Sequence, residues 1–288
     1  MSDIMSDVDN SVNNACEQDI LDFDGFMKPL ISYYGGKQKM AGLISGLIPE
    51  HSIYVEPFSG GAAVFFAKPL ARYNVLNDKN KWLINMYIQY KRHPALFCRL
   101  VRSLPFSEEI HRLSKKYKVR NKMLSAVRFW YNINCSFSNQ LDSGFKGSAS
   151  HKNLTMYKNK LVTLSDKISK LGSAVILCRD AISIIKKYDS PSSFFYIDPP
   201  YPMANQGHYA GYSISDYAAL IDVLSGIRGR FILSNYYQDV PMPSGWHTKV
   251  VDVYMSAAIV DVGNNREKRE ELLIMNYKPL EEIDIWDL

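Results

Sequence analysis

Cysteine is scarce in this sequence: Cys16, Cys98, Cys135 and Cys178 are the only four in 288 residues, and no two are close neighbours. Thiols so scattered supply neither a disulfide framework nor a paired zinc site, and they suit a reducing cytosol. The six histidines show no spacing suited to a metal, and none is expected. No apolar run approaches the length that spans a bilayer, and the start lacks the charged-then-apolar pattern of a signal segment. A phosphate loop of the form Gly-x-x-x-x-Gly-Lys is missing, which argues against a nucleoside triphosphate. Lys and Arg are absent from residues 1–27, where seven acids stand among Ser and Asn. That segment reads as an acidic, disordered tail. The remaining composition, 47% apolar and 22% charged, is that of a globular protein with one large domain or two modest ones.

The net charge of +5 is unevenly spread. From Lys91 to Lys170 there are 17 Lys and Arg against four acids (Glu108, Glu109, Asp142, Asp166), so the rest of the chain is net acidic. Such concentration favours a polyanionic partner, and duplex DNA is the expected one. Arg112, Lys115, Lys116, Lys118, Arg120 and Lys122 are closely spaced for phosphate contacts. The polar stretch from Asn132 to Asn153, with Asn139 and Lys146, offers side chains that hydrogen-bond to bases.

Several segments alternate in the manner of a nucleotide-binding α/β fold. Ile53–Glu56 reads as a strand, Pro57–Gly61 as a tight turn, residues 62–67 as a helix start, and Asn74–Asp78 as a second strand ending in an acid. Residues 80–90, 96–130, 156–171 and 182–187 read as helical, and 174–178, 231–235, 248–254 and 271–277 as further strands. The last two are expected to pair at the sheet edge. Ser215 is the expected cap of a helix running to Leu224, and residues 206–213 are expected to be a mobile loop.

Asp198-Pro199-Pro200-Tyr201 closes an aromatic run, Phe194-Phe195-Tyr196-Ile197, that reads as a buried parallel strand. The carboxylate accepts hydrogen bonds, the prolines leave the carbonyls before them free to accept, and the tyrosine offers a ring face. This set suits an exocyclic amine on a planar base, such as adenine. Taken alone, the four residues are equally an ordinary strand-to-turn connection.

In order along the chain, Tyr34-Gly35-Gly36-Lys37, Glu56-Pro57-Phe58-Ser59-Gly60-Gly61, Asn77-Asp78 and Asp198-Pro199-Pro200-Tyr201 resemble the motifs of the Dam-like, D12 class of DNA adenine N6-methyltransferases, in particular the compact phage and prophage type. Leu233-Ser234-Asn235 and Arg269–Leu273 are weaker matches. The resemblance implies a Rossmann-like methyltransferase fold, with a mixed seven-stranded sheet and a reversed final strand. It implies S-adenosylmethionine as methyl donor. Tyr34, Gly35, Gly36, Lys37, Glu56, Pro57, Phe58, Ser59, Gly60, Gly61, Asp78 and Asp180 are then the cofactor-binding residues, although Asp180 reads nearly as well as a helix cap. Asp198, Pro199, Pro200 and Tyr201 are the catalytic residues. The implied organisation is an N-terminal tail (1–27), a catalytic domain (28–90 and 171–288) and a target-recognition insert (91–170). The implied setting is the cytoplasm of a bacterial or phage-infected cell, where a cognate restriction endonuclease is a candidate partner.

The insert departs from the Dam pattern, with Cys135-Ser136-Phe137-Ser138-Asn139 and Ser143-Gly144-Phe145-Lys146-Gly147 in place of the branch signature. GATC specificity is therefore not carried over. No cysteine follows a proline, which argues against cytosine C5 chemistry. Three readings stay open beside DNA adenine methylation: cytosine N4 methylation, RNA adenine methylation, and a catalytically silent DNA-binding relative.

Overall fold

A computed structural model describes residues 25–279, apart from 34, 118, 148–150, 201–211, 236–240 and 255–267. Its centre is a seven-stranded sheet of β1 (Ile53–Glu56), β2 (Tyr73–Asn77), β3 (Ala174–Leu177), β4 (Ser193–Ile197), β5 (Arg230–Asn235), β6 (His247–Tyr254) and β7 (Lys268–Met275), in the order β3-β2-β1-β4-β5-β7-β6. β2, β1, β4 and β5 run parallel, in registers such as Val55 with Val75, Val55 with Phe195 and Ile197 with Leu233. β7 runs antiparallel to both neighbours, pairing Ser234 with Leu273 and Val251 with Glu271. The two closing strands do form a hairpin, and the reversed strand is the inner one.

The parallel strands are buried because both faces carry apolar side chains. Every residue of β4 is buried, with Phe194, Phe195 and Ile197 at 0% exposure. Such runs suit a parallel sheet covered on both sides.

Helices alternate with these strands. They are α1 (Ala41–Leu47), α2 (Ala63–Ala67), α3 (Lys81–Arg92), α4 (Pro94–Arg102), α5 (Glu108–Lys116), α6 (Lys122–Cys135), α7 (Lys152–Val162), α8 (Ile168–Gly172), α9 (Ala181–Tyr188) and α10 (Ile214–Ser225). Local chemistry sets their starts. Asn80 accepts from the backbone N–H of Trp82 and Leu83, Asn121 from that of Leu124, and Pro94 opens α4.

Three expectations about helices are corrected. Residues 96–130 divide into α4, α5 and α6, because Ser107 and Asn121 each cap a new start. α6 continues to Cys135, into the stretch expected to be loop, because Asn132 and Asn134 turn inward and are buried. Ser213, and not Ser215, caps α10: its hydroxyl accepts from the Asp216 N–H while the Asp216 carboxylate accepts from the Ser213 N–H. The loop expected at 206–213 lies outside the described residues up to 211.

The chain separates into two compact units. The first comprises residues 1–45, 60–70 and 80–176 and is mainly helical. Trp130, Tyr87, Tyr90, Phe97 and Tyr131 fill its interior at 0% exposure. Their polar tips are satisfied by carbonyls: Trp130 Nε1 donates to Leu30 O at 3.1 Å and Tyr131 Oη to Pro105 O at 2.8 Å. The second unit comprises residues 46–59, 71–79 and 177–288. It holds most of the sheet around Tyr54, Phe194, Phe195 and Phe231.

Candidate active site

In the second unit three acids end three adjacent parallel strands. Glu56 is the last residue of β1, Asp78 follows β2, and Asp198 follows β4. The strand order 2-1-4 places β1 and β4 at the point where the winding of the sheet reverses. The crevice beyond the carboxyl ends of strands at such a point is where open α/β sheets bind ligands.

Each acid has a distinct setting. Glu56 is 1% exposed, and its carboxylate accepts from Tyr54 Oη at 2.7 Å. Burial, reinforced by the Glu56 charge, holds the Tyr54 hydroxyl well above its ordinary range, so it stays a donor. Asp78 is 2% exposed, and its backbone N–H donates to Leu177 O at 3.3 Å. Asp198 is half-buried, followed by buried Pro199 and Pro200. Tyr201 lies outside the described residues.

Asn77, which the motif reading passed over as a site residue, ties the loops after β1, β2 and β3 together. Its Nδ2 donates to Pro57 O at 2.9 Å and Arg179 O at 3.0 Å, and its Oδ1 accepts from the Arg179 N–H at 2.9 Å. Its own carbonyl accepts from the Ser59 N–H at 2.8 Å. A carboxamide ending a buried apolar strand was the available signal. The Ser59 hydroxyl is buried with no hydrogen-bond partner among the described residues. Phe58 is half-buried and meets Tyr212 edge-on at 6.1 Å between ring centres. Asp180 caps α9, accepting from the Ser183 N–H at 2.8 Å, so the capping alternative is realised.

In the first unit, Gly35, Gly36 and Lys37 form a turn in which the Gly36 N–H donates to Tyr33 O at 2.9 Å. A Cβ on Gly36 would stand 2.8 Å from that oxygen, which excludes any other residue without a shift. Lys37 is 6% exposed, and its ammonium donates to Gly35 O at 3.1 Å. Gly60, at φ 45°, and Gly61 both lie against Tyr33. Asn80 Nδ2 in turn donates to the Tyr33 hydroxyl at 3.1 Å. The glycines of both motifs thus converge on one tyrosine. Tyr34 lies outside the described residues.

The basic segment belongs wholly to the first unit. Arg112 is exposed and paired with Glu109 at 2.8 Å through Nε. Lys116 sits over the Tyr117 ring at 5.5 Å and is exposed, as are Arg120 and Lys122. Lys115 donates to Ser143 O, and burial lowers its pKa. Lys146 is half-buried and likewise lowered by burial. Asn139 sits in a 3-10 turn at φ 54°. Lys118 lies outside the described residues. Not all of the positive charge faces outward. Lys170 donates to Phe66 O and Lys68 O, Lys167 to Thr163 O, and Lys160 to Ser32 Oγ and Asn134 Oδ1.

Among the described residues no cluster of His, Cys, Asp and Glu is suited to a metal, and no helix is long and apolar enough to cross a membrane. The chain matches, over residues 33–267, the model of a family described as D12 class N6 adenine-specific DNA methyltransferase. It is 24% identical over 275 residues to the DNA adenine methylase of Escherichia coli strain K12, covering 88% of this chain and 96% of that protein. It is 26% identical over 206 residues to the type II methyltransferase M1.LlaDCHI of Lactococcus lactis subsp. cremoris, covering 65% of this chain and 70% of that one. It is 27% identical over 184 residues to the type II methyltransferase M.CviBI of Paramecium bursaria Chlorella virus NC1A, covering 61% and 69%.

Proposed function

The chain belongs to the D12 class of N6 adenine-specific DNA methyltransferases, and on that premise we propose that it takes S-adenosylmethionine as donor and methylates an adenine flipped out of duplex DNA. One observation carries the reading: Glu56, Asp78 and Asp198 end neighbouring parallel strands at the reversal point of the sheet.

The residues present fit the donor. Carboxylates at Glu56 and Asp78 suit an ammonium group and ribose hydroxyls, and the orphaned Ser59 hydroxyl suits a further polar contact. Tyr34, Gly35, Gly36, Lys37, Pro57, Phe58, Gly60 and Gly61 complete the assignment by motif. Asp180 remains in it through its position after β3, with its carboxylate shared with the α9 cap. When bound, the donor supplies an electrophilic methyl on a sulfonium.

Asp198 and the Pro199 carbonyl accept the two hydrogens of the adenine amino group, and Tyr201 stacks on the base. These acceptors orient the nitrogen lone pair and strengthen as positive charge develops there, so catalysis rests on positioning and electrostatics. Extruding the base costs about a few kcal/mol. Arg112, Lys115, Lys116, Lys118, Arg120, Lys122, Asn139 and Lys146 are the proposed DNA contacts, the basic side chains on phosphates and Asn139 on a base edge. A cognate restriction endonuclease would cut the same site when unmethylated, so protection of methylated DNA from that nuclease is its test.

Incubation with methyl-labelled donor and duplex DNA is expected to yield labelled N6-methyladenine, and Asp198→Ala is expected to reduce kcat at least about 100-fold. Label recovered in cytosine alone, or in RNA and never in DNA, would overturn the reading.

A further inference from the structure

Asn235 ends β5, one strand further along the sheet from Asp198. The parallel register pairs Ile197 with Leu233, so continuing it by two residues sets Asn235 level with Pro199. Asn235 is 1% exposed. One end of its carboxamide is held, since Nδ2 donates to the hydroxyl of Tyr217 on α10, which is itself fully buried. The other end, Oδ1, is buried with no hydrogen-bond partner among the described residues. Rotating the amide exchanges its ends and still leaves one polar atom without a partner. An orphaned buried amide atom is costly, and such an atom at a strand end beside the reacting motif points to a ligand that supplies the missing bond.

Two neighbouring polar groups, Ser234 and Tyr217, are otherwise engaged. Ser234, one residue earlier, donates its hydroxyl to the buried carboxylate of Glu271 on β7. Burial raises the Tyr217 pKa, which keeps that hydroxyl neutral. Tyr217 therefore acts as a fixed post for the Asn235 amide and takes no part in proton transfer.

We propose that Asn235 is a further residue of the target-base pocket, with its amide rotated so that Oδ1 accepts from the Tyr217 hydroxyl and Nδ2 donates to a ring nitrogen on the polar edge of the flipped adenine. The proposal rests on the adenine-methylating reading. It adds a base contact beside the amino-group acceptors at Asp198 and Pro199. A carboxamide pinned at one end offers a single polar atom at a fixed place, which suits recognition of a planar edge and requires little reorganisation on binding.

The test compares Asn235→Ala, Asn235→Asp and Tyr217→Phe with the wild type. The measurements are single-turnover methylation of a duplex substrate, donor affinity by titration, melting temperature, and the fluorescence of 2-aminopurine placed at the target position. Asn235→Ala is expected to lower the methylation rate about 10- to 100-fold and to reduce the 2-aminopurine signal of the captured base, with donor affinity unchanged. Tyr217→Phe keeps the carboxamide and loses only its post, so a smaller fall in rate is expected. Asn235→Asp keeps the shape but replaces the donor with a charged acceptor, and is expected to fall at least as far as Asn235→Ala.

The proposal is overturned if Asn235→Ala methylates as fast as wild type. It is also overturned if the rate falls only in proportion to a lost melting transition, with the captured-base signal intact, for that marks a purely structural amide. A wild-type protein that leaves every adenine unmethylated would instead sink the functional reading and leave the geometry at Asn235 in place.

Discussion

At the scale of the residue, Asn77 does for the strand ends what no apolar side chain can. Its carboxamide satisfies carbonyls and an N–H from the loops after β1 and β3, from residues 20 and 102 positions away in sequence. Asn77→Ala leaves those buried groups unpaired, and a loss of about 3 kcal/mol is expected in urea unfolding, together with weaker donor binding because the loops at Pro57 and Arg179 lose their anchor. The proposed catalytic motif is legible as a pattern because acid, prolines and tyrosine are contiguous and close an apolar run. Asn77 is not, because its value lies in partners that only the folded sheet assembles. Gly60 and Gly61 fall between: the turn was readable, whereas the close packing against Tyr33 was not.

At the scale of the element, caps and inward-facing polar groups decide boundaries that hydrophobic periodicity leaves blurred. Ser213 and Ser215 both precede the apolar face of α10, and only the reciprocal bonds with Asp216 single out the first. Ser213→Ala is expected to cost about 0.5–2 kcal/mol in chemical denaturation, and Ser215→Ala much less. The basic segment teaches the converse point about α7. Lys160 counts toward the positive charge of residues 91–170, yet its ammonium donates to Ser32 Oγ at 2.8 Å and to Asn134 Oδ1 on α6. Burial first, and then the neighbouring Lys146 charge, push its pKa down to about 7.

An unfolded lysine titrates near about 10.4. Between these values the unfolded chain carries a proton that the folded one lacks, so stability rises with pH across that window, and the gain is lost as pH falls through about 7. Lys160→Met is expected to reduce the slope of unfolding free energy against pH by about one proton between pH 7 and 10, measured by urea titrations at several pH values. A lysine count reports charge, and it cannot report which ammonium groups the packing turns inward.

At the scale of the whole molecule, the seven strands and the reversed final strand followed from the resemblance. The order of the strands, the inner place of the reversed one and the division of the helices between residues 91 and 170 did not. Lys116, Arg120 and Lys122 remain exposed, which leaves them available to phosphates, whereas exposed Arg112 is shared with Glu109. Lys116→Ala combined with Arg120→Ala is expected to weaken binding to all duplex sequences alike and to reduce the slope of log affinity against log salt by about two. Fluorescence anisotropy at several salt concentrations measures both, and an unchanged slope would move the DNA face elsewhere.

The position of β7 has a consequence for synthesis. β6 is made first, but its place in the sheet depends on β7, which pairs with both β5 and β6. While the ribosome still holds residues 268–275, the emerging polypeptide presents β5 as a raw edge and β6 as a strand with no neighbour to dock on. Such an edge templates pairing with other chains. The nascent chain is therefore most vulnerable to aggregation in the interval before β7 emerges, and a chaperone that shields this edge would protect the whole fold.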